Sequence, residues 1–574
     1  MKNQELAKIF YEIADYLRME NVAFKPFAYQ RVAMSLESLE EGVEKVYREG
    51  GIKALEKIPG VGKNIAEKIE EYLKTGKIKS YDDLKKKMPI DLEELLAVEG
   101  LGPRKTKTLY QKLGIKNLKE LEKAAKGHKI ASLFGFKEKT EKNILEGIAF
   151  LKKSKGRFLL GEILPEVKEI ITKLKTLKEV EQISVAGSVR RMKETIGDVD
   201  ILITTKNPKK VMDFFVSLPG IVKVWVKGTT KSSIRLEQGF DVDLRTVHNK
   251  SYGSALQYFT GSKEHNIATR RLAIEKGLKL NEYGVFKGKK MIAGWNEAGV
   301  YRVLGLPWIE PELREDQGEI EKALKKELPK IIGYDEIRGD LHCHSDWDGG
   351  ENSIEETAKT AMAMGYEYIG ISDHTKYLKI ENGLDEKKLE SQRKEIGRLN
   401  EKLKKENKKF RILQGCETNI LKDGSADIKD EALAKLDYVI AGVHSSFKME
   451  KDEMTERIIN AIKNPNIDII SHPTGRILKK RDEYLVDFDK VLKAAKEHNK
   501  ILEINSWPER LDLNDQRIRM AKEAKVKMVI NTDSHSKGHL RFIELGIAQA
   551  RRGWAEKEDI INSQPIEKLL KFFK

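Results

Sequence analysis

The feature that most constrains the fold is a regular alternation of short apolar strands and helix-like segments, which runs from about residue 337 onward. Such alternation predicts a parallel α/β barrel, because each strand needs a crossover helix before the next parallel strand can pair with it. The carboxyl ends of the strands then meet at one end of the barrel, where such folds place their chemistry. The apolar runs are RGDLHCHS, YEYIGISDH, RILQGCETNI, LDYVIAGVHSS, IDIISHPT, ILEINSW and KMVINTDSH.

Histidines and carboxylates stand at the ends of these runs. His342 and His344 share one face of a strand, because side chains alternate along it. A mixture of imidazole and carboxylate suits Zn²⁺, Mn²⁺ or Fe²⁺ better than Mg²⁺. Any one histidine could instead be a structural residue, but the series predicts two or three ions bridged by a carboxylate. The candidate ligands are His342, His344, Asp348, His374, Glu417, His444, His472, Asp533 and His535.

Paired aspartates occur on β-rich runs between about residues 155 and 250. Asp198 and Asp200 lie on one face of a strand, and Asp243 follows on a second strand. Three converging carboxylates can hold two Mg²⁺ or Mn²⁺ ions for attack on a phosphoryl group, whereas isolated strand-end aspartates would be caps or surface charges. The turn at Gly187 and Ser188 can offer amides and a hydroxyl to a triphosphate.

Two glycine turns occur in a region that is otherwise helical. IPGVGKNIAEKIEEYL and VEGLGPRKTKTLYQKLGI each join a G-x-G turn to a helix that begins with basic residues. Such turns let amides at a helix N-terminus face a phosphate, which is how helix-hairpin-helix motifs grip a DNA backbone. Ordinary turns between packed helices are the alternative. The predicted DNA contacts are Gly60, Gly62, Lys63, Gly100, Gly102 and Arg104.

The charge balance favours a polyanionic partner. The formal net charge is +16, with a pI near 9.2, and each cation that neutralises a phosphate releases counterions. A Lys/Glu-rich protein of a warm-living organism is the alternative. The two cysteines cannot form a disulfide framework, which predicts a cytoplasmic protein. We expect no membrane partner, because no apolar run reaches the length of about 20 residues that spans a bilayer.

The chain up to about residue 315 resembles the family X (DNA polymerase beta-like) DNA polymerases, because GSVRR, DVD, DVDLR and YFTGSKEHN follow the family's order. The resemblance implies a nucleotidyltransferase palm, a small thumb-like domain and catalytic metal ligands at Asp198, Asp200 and Asp243. Tyr258 and Phe259 would lie beside the sugar of the incoming nucleotide. The implied nucleotide-binding residues are Gly187, Ser188, Arg191, Tyr258, Phe259, Gly261, Asn266 and Arg270.

The same resemblance suggests a lyase activity, and the chain departs from the family's pattern at three positions. Lys68 holds the place of the family's lysine that forms a Schiff base with an abasic sugar, although it could equally be a surface lysine. Asp241 stands where relatives have an arginine, so its charge either alters metal affinity or faces a nearby cation. Lys263 and His265 also differ from the vertebrate pattern.

From about Ile337 to Lys574 the chain resembles the polymerase-and-histidinol-phosphatase (PHP) family. DLHCHSDWDGG, ISDH, GCE, GVHSS, SHPTG and NTDSH match that family in order. The resemblance implies a distorted (β/α)7 barrel with a trinuclear centre made by the ligands named above, with Glu417 as the bridge. Lys448 and Arg476 are candidates to hold substrate phosphate, or else they are surface charges.

Together these features predict a multidomain α+β repair polymerase. We expect it to fill gapped or nicked DNA from deoxynucleoside triphosphates in base excision repair, as a monomer. The PHP domain would act as a 3′-5′ exonuclease or 3′-end phosphoesterase, and as an abasic-site endonuclease. The alternatives are a DNA-tethered small-molecule phosphatase and a non-catalytic DNA-end-binding protein. The expected units are residues 1–83 (lyase-like, first hairpin), 84–152 (second hairpin), 153–250 (palm), 251–315 (nascent-base-pair-binding), 316–336 (linker) and 337–574 (PHP).

Overall fold

The computed structural model describes residues 2–39, 41–58, 60–96, 98, 101–153, 156–377 and 382–573. They form a helical N-terminal region, two mixed α/β units and a C-terminal barrel, which is the predicted fold class. Among the described residues, no helix combines the length and the apolar character that a membrane crossing requires.

The N-terminal helices pack around two separate apolar cores. The first core contains Leu6, Phe10 and Ile69, and the second contains Leu95 and Leu109. Apolar side chains recur three or four positions apart, so each helix buries one stripe and leaves its charged face in solvent. The helices are α1 (Lys2–Met19), α2 (Lys25–Ser38), α3 (Val43–Leu55), α4 (Lys63–Thr75), α5 (Lys79–Lys87), α6 (Leu92–Leu96), α7 (Pro103–Leu113), α8 (Leu118–Lys126) and α9 (Glu138–Lys153).

The next unit, which we call the palm, is built on a five-stranded sheet. Its elements are β1 (Phe158–Leu159), α10 (Leu160–Lys175), β2 (Val180–Val185), α11 (Gly187–Arg190), β3 (Thr195–Ile196), β4 (Asp198–Thr205), α12 (Pro208–Phe215), β5 (Ile221–Lys227), β6 (Lys231–Leu236) and β7 (Asp241–Thr246). The strand order is β2-β4-β7-β6-β5. Only β4 and β7 pair in parallel in this sheet, and the other pairs are antiparallel.

The second unit, which we call the thumb, packs helices against a small antiparallel sheet. It contains α13 (Tyr252–Thr260), α14 (Lys263–Glu275), β8 (Lys279–Asn281), β9 (Gly284–Lys287), β10 (Lys290–Ala293) and α15 (Glu297–Val303). The segment that follows, with α16 (Glu319–Leu324), is docked: Glu319 and Ile332 are fully buried. His265 Nδ1 lies 2.6 Å from Glu319 Oε1. This histidine, which differs from the vertebrate pattern, therefore connects the thumb to the segment that was predicted to be a linker.

The C-terminal unit alternates parallel strands with helices. Its elements are β11 (Gly339–Cys343), α17 (Ile354–Ala363), β12 (Tyr368–Ile371), α18 (Glu386–Lys405), β13 (Arg411–Gln414), β14 (Glu417–Asn419), α19 (Asp430–Leu433), β15 (Ile440–Gly442), α20 (Lys451–Lys463), β16 (Ile469–Ile470), α21 (Phe488–Glu497), β17 (Ile501–Asn505), α22 (Asp515–Glu523), β18 (Met528–Asn531), α23 (Ile543–Arg552) and α24 (Ile566–Leu569).

These strands close into a ring through single parallel bridges. Strands β11 to β13 form one sheet and β14 to β18 form another. His374 bridges to Glu417, and Cys343 bridges to Ser534, which joins the two sheets at both ends. The third predicted strand is broken at Gly415, where a Cβ would lie 2.4 Å from the Tyr438 ring. The third predicted run therefore contains two strands, β13 and β14.

The palm and the barrel share an interface. Leu478, Leu511 and Leu545 of the barrel belong to the same buried cluster as the palm core. A Cβ on Gly161 of α10 would lie 2.6 Å from the Pro508 side chain, so the helix packs closely against the barrel. The palm and the barrel, which carry the two sets of candidate catalytic residues, are therefore packed against each other.

Candidate active sites

Three of the predicted aspartates converge on one face of the palm sheet. Strands β4 and β7 pair so that Asp198 lies opposite Asp241 and Asp200 lies opposite Asp243. Because side chains alternate along a strand, these carboxylates project from the same face. The valine between each pair is fully buried on the other face. The fold thus brings the predicted carboxylate triad together.

The electrostatics of this face favour a bound cation. Burial, and then the like charges of Asp198 and Asp243, raise the pKa of Asp200 to about 6. Lys231 Nζ lies 2.6 Å from Asp243 Oδ2, and Arg245 lies 3.5 Å from the same oxygen. An all-oxygen donor set with internal repulsion is what Mg²⁺ or Mn²⁺ prefers, so the residues fit the predicted two-ion site.

Asp241 forms an ion pair with a neighbouring arginine, Arg235. Both of its carboxylate oxygens accept hydrogen bonds from Arg235, each at 2.8 Å, and Trp225 Nε1 donates to Oδ1 at 2.9 Å. The sequence left two alternatives for the charge of Asp241, an altered metal affinity or a pair with a nearby cation. The structure agrees with the second.

The Gly-Ser turn lies against the aspartates. Gly187 has a φ of 61°, and a Cβ there would lie 2.9 Å from Asp200 Oδ2. A side chain at this position would therefore collide with a candidate metal ligand. Ser188 follows Gly187 in the short helix α11.

Both arginines of GSVRR are paired with acidic residues near the end of the thumb. Arg190 forms a bidentate pair with Glu297, with distances of 2.8 and 2.7 Å. Arg314 NH1 lies 2.7 Å from Glu297 Oε1. Arg191 Nε donates to Glu315 Oε1 at 3.0 Å. Arg191 NH1 donates to the Thr260 carbonyl, so the predicted contact of this arginine with a triphosphate would use NH2 or an exchange of these partners.

We expect Glu297→Gln to destabilise the fold in a pH-dependent way. Burial raises the pKa of Glu297, but the pairs with Arg314 and Arg190 outweigh it and lower the pKa to about 2. Since the folded-state pKa lies below the ordinary value of 4.5, the carboxylate stabilises the fold above pH 4.5 and loses this contribution as the pH falls towards 2. The shift corresponds to about 3 kcal/mol.

Urea unfolding of wild type and Glu297→Gln measures this contribution. The free energies of unfolding should differ by about 3 kcal/mol at pH 7 and by less than about half of that near pH 3. An equal difference at both pH values would contradict the ionised network.

The remaining nucleotide-binding candidates cluster at the junction of α13 and α14. The rings of Tyr258 and Phe259 meet edge to face at 5.2 Å, and the Arg245 guanidinium stacks 4.8 Å from the Phe259 ring. Asn266 Nδ2 donates to the Tyr258 carbonyl at 2.7 Å, and Arg270 Nε donates to the Asn266 carbonyl at 3.0 Å. Gly261 follows α13, and a Cβ there would lie 3.0 Å from Arg191 NH1.

The barrel histidines meet around one carboxylate, Glu417. His374 Nδ1 and His342 Nε2 lie 2.9 and 3.3 Å from Oε2. His472 Nε2 and His444 Nε2 lie 2.9 and 3.2 Å from Oε1. Burial raises the pKa of Glu417, but the surrounding imidazoles, His444 and His342 first, hold it well below its usual range. Glu417 is thus an anion shared by four rings.

A second carboxylate, Asp533, extends the cluster. His344 Nε2 and His342 Nε2 lie 3.3 and 3.6 Å from Asp533 Oδ1, and the His535 ring stacks on His344 at 4.2 Å. Groups with ligand atoms within 4.8 Å of one another are His344, His374, His535; His342, His344, Asp533; His374, Glu417, His444; and His344, Asp348, Asp373.

Several buried atoms of this cluster lie close to one another but form no hydrogen bond of suitable geometry with any described residue, namely His342 Nε2, His344 Nε2, His374 Nδ1, His444 Nε2 and Glu417 Oε2. Buried polar atoms without partners are costly and rare. Imidazole nitrogens and carboxylate oxygens that all face one space are a donor set for Zn²⁺, Mn²⁺ or Fe²⁺. The residues therefore fit the predicted centre of two or three ions.

Family models match successive parts of the chain. Their descriptions are Helix-hairpin-helix domain (1–78), SAM-like Helix-hairpin-helix tandem (92–149), DNA polymerase beta palm (162–253), DNA polymerase beta thumb (255–315) and PHP domain (340–507). The order matches the architecture described above.

Sequence relatives include a full-length match and partial ones. A Bacillus subtilis (strain 168) protein named DNA polymerase/3′-5′ exonuclease PolX is 36% identical over 579 residues, which cover 100% of both chains. The chain belongs to the family X DNA polymerases with a PHP domain. An Acetivibrio thermocellus protein named "Probable phosphatase" is 33% identical over 34% of this chain and 78% of its own. One from Thermoanaerobacter sp. (strain X514), also named a probable phosphatase, is 40% identical over 22% and 52%.

The DNA-binding candidates of this family X polymerase form two matching hairpins. Gly62 precedes α4 with φ −87° and ψ 170°, and Gly102 precedes α7 with φ −87° and ψ 171°. Both helices end at a left-handed glycine, Gly76 or Gly114. Glycine has no side chain to cap the first-turn amides, which leaves them for a phosphate.

The other predicted DNA contacts flank these helices. Gly60 has a φ of 77°. Lys63 and Arg104 are exposed in the first turns of α4 and α7. Gly100 lies outside the described residues.

Sequence reasoning missed the residues that orient the histidines. Glu503 accepts from His342 Nδ1 at 2.7 Å and from the His472 amide at 2.8 Å. Asn419 Oδ1 lies 2.7 Å from His444 Nδ1. Asp348 Oδ2 lies 2.8 Å from His344 Nδ1 and accepts the His374 amide at 2.8 Å, so its contacts also orient imidazoles. A charged residue within the apolar run ILEINSW was the available signal for Glu503.

Arg476 differs from both of its predicted roles. It is buried, and its guanidinium donates to Glu194 of the palm at 2.8 Å and to the Leu511 carbonyl. Arg476 therefore holds the PHP domain to the palm, and it is neither a surface charge nor placed to take substrate phosphate.

Proposed function

We propose that this family X polymerase fills short gaps in DNA from deoxynucleoside triphosphates during base excision repair. We further propose that its PHP domain removes 3′-terminal nucleotides or 3′-blocking groups. The observation that carries the proposal is the parallel pairing of β4 and β7, which sets Asp198, Asp200 and Asp243 on one face beside the Gly187 turn. Nicked or gapped DNA would be gripped by the two hairpins.

At both centres, bound divalent cations would neutralise phosphate charge and make the attacking oxygen a better nucleophile. The chain's own residues do the positioning. The aspartates present oxygens from one sheet face, Arg191 lies within reach of the turn that receives the triphosphate, and Tyr258 and Phe259 wall the sugar side. At the PHP centre, Glu503 and Asn419 fix the rings of His342 and His444 through their other nitrogen.

We propose Mg²⁺ or Mn²⁺ at the palm, two ions, and two or three Zn²⁺, Mn²⁺ or Fe²⁺ ions in the PHP domain. We also propose that the protein acts as a monomer. A reducing cytoplasm is in keeping with the two buried free cysteines, Cys343 and Cys416. The alternative of a DNA-tethered small-molecule phosphatase accounts only for the PHP domain of the chain. The assembled carboxylate triad speaks against a non-catalytic end-binding protein.

A single-nucleotide gap substrate tests the proposal. With the complementary nucleotide and Mg²⁺, the primer should lengthen by one residue, and with Mn²⁺ and no nucleotide it should shorten from its 3′ end. A primer that remains unchanged under both conditions would contradict both activities.

We also propose a 5′-deoxyribose-phosphate lyase activity at Lys68. This lysine lies on α4 of the first hairpin, is half-buried, and has no hydrogen bond or ion pair to any other part of the chain that the structure describes. Its position leaves the amine available to an abasic sugar, since a lysine held in an ion pair would be a poor nucleophile.

Lys68→Ala should reduce borohydride trapping of an abasic-site substrate by about a hundredfold, as expected for loss of a covalent nucleophile, and leave gap filling unchanged. Lys74→Ala is the matched control, because Lys74 lies on the same helix and pairs with Glu70 at 2.9 Å. Equal trapping by Lys68→Ala and wild type would rule out this lysine as the nucleophile.

A further inference from the structure

The last turn of α23 in the PHP domain presents two adjacent buried arginines to the polymerase half. Arg551 is 7% exposed and Arg552 is 3% exposed. Arg551 Nε donates to Glu312 Oε1 at 2.7 Å, and its NH1 donates to the Ile332 carbonyl at 2.7 Å. These contacts anchor the segment after the thumb and touch nothing in the nucleotide-binding turn.

Arg552 reaches the nucleotide-binding turn itself. Its NH1 donates to the backbone carbonyl of Arg191 at 2.9 Å and to Glu315 Oε1 at 3.0 Å. Its NH2 donates to Asp515 Oδ2 at 2.5 Å, which fixes the guanidinium from the PHP side. A residue that lies 361 positions away in sequence therefore holds the backbone of the GSVRR motif.

Glu315 is shared by two guanidiniums. Its Oε1 lies 3.0 Å from Arg191 Nε and 3.0 Å from Arg552 NH1, and Lys193 Nζ lies 3.6 Å from Oε2. Removing the partner of a buried charge is strongly unfavourable when no other partner remains. If Arg191 turns to a triphosphate, Glu315 keeps Arg552, so the exchange leaves no uncompensated carboxylate.

We propose that Arg552 is a positioning residue for DNA synthesis, acting from the PHP domain on the nucleotide-binding turn of the palm. It fixes the Arg191 backbone and retains Glu315 when the Arg191 side chain moves to the incoming nucleotide. The inference rests on the proposed polymerase function and assigns to the PHP domain a role in nucleotide affinity that is separate from its own hydrolytic centre.

Arg552→Met and Arg551→Met form a matched pair, because each removes one buried interdomain guanidinium from the same helix turn and keeps an apolar stem. Single-nucleotide gap filling gives KM for the deoxynucleoside triphosphate and kcat separately. We expect Arg552→Met to raise KM about tenfold, and Arg551→Met to stay within about threefold of wild type. The 3′-5′ exonuclease rate should stay at the wild-type level in both variants, since neither arginine contacts the PHP centre.

Arg552→Lys guards against misfolding of the methionine variant. It keeps the cation beside Glu315 but loses the planar fork, so its KM should fall between those of wild type and Arg552→Met. Equal KM increases in both methionine variants, or an unchanged KM in Arg552→Met with active wild type, would overturn the positioning role. A wild type that extends no primer would instead contradict the proposed function.

Discussion

Asp243→Asn lowers the rate of primer extension about a thousandfold in a single-nucleotide gap assay. The substitution removes a charge but not volume, so the sheet register that aligns Asp243 with Asp200 is kept. A cation held by two carboxylates in place of three loses several kcal/mol of transition-state stabilisation, and about 4 kcal/mol corresponds to this factor. Digestion of the 3′ end by the same preparation should continue at the wild-type rate, because the PHP centre is untouched.

Asp241→Asn is the control for this prediction. Asp241 lies on the same strand and the same sheet face, two residues before Asp243, but pairs with Arg235 and Trp225. We expect its extension rate to stay within about tenfold of wild type, as for loss of a partly exposed ion pair. If both variants lost extension equally, charge on this face in general, and not a metal site at Asp243, would explain the activity.

Glu417→Gln lowers the rate of 3′-5′ exonuclease digestion about a thousandfold and leaves the rate of gap filling unchanged. The carboxylate contacts four imidazoles, His342, His374, His444 and His472. A neutral amide cannot serve as a shared anionic ligand, so we expect metal content as well as hydrolysis to fall. The measurement is time-resolved digestion of a 3′-labelled strand together with elemental analysis of the purified protein.

His539→Gln is the matched control for the loss of a buried polar group. His539 is 4% exposed and packs between Trp507 and Phe542, but it belongs to none of the metal-binding groups found among the described residues. Its exonuclease rate should remain within about tenfold of wild type, as for a substitution away from the reacting centre. A loss as large as that of Glu417→Gln would mean that disturbed packing, and not a lost ligand, stops the reaction.

The sequence predicted those parts of the molecule that depend on local periodicity. Alternation of side chains along a strand places Asp198 beside Asp200 and His342 beside His344 whatever the rest of the chain does. The series of strand ends predicted the barrel for the same reason, because parallel strands put their carboxyl ends together. The two glycine turns were equally local, and Gly62 and Gly102 have nearly the same dihedral angles.

Contacts set by distant packing could not be predicted in this way. The close approach of Gly415 to the ring of Tyr438 joins two parts of the chain that are separate in sequence. Arg191 contacts Glu315 and Arg552, which lie 124 and 361 positions away in sequence. These pairings depend on how the folded units pack against each other, and the spacing of residues along the chain does not indicate that packing.

Crystals grown with Mn²⁺ and gapped DNA test the central claim, that one chain holds two separate metal centres of different chemistry. The anomalous difference map should contain peaks between Asp198, Asp200 and Asp243, and two or three further peaks around Glu417 and Asp533. Peaks at only one of these places, or manganese bound elsewhere while both clusters hold none, would contradict the account.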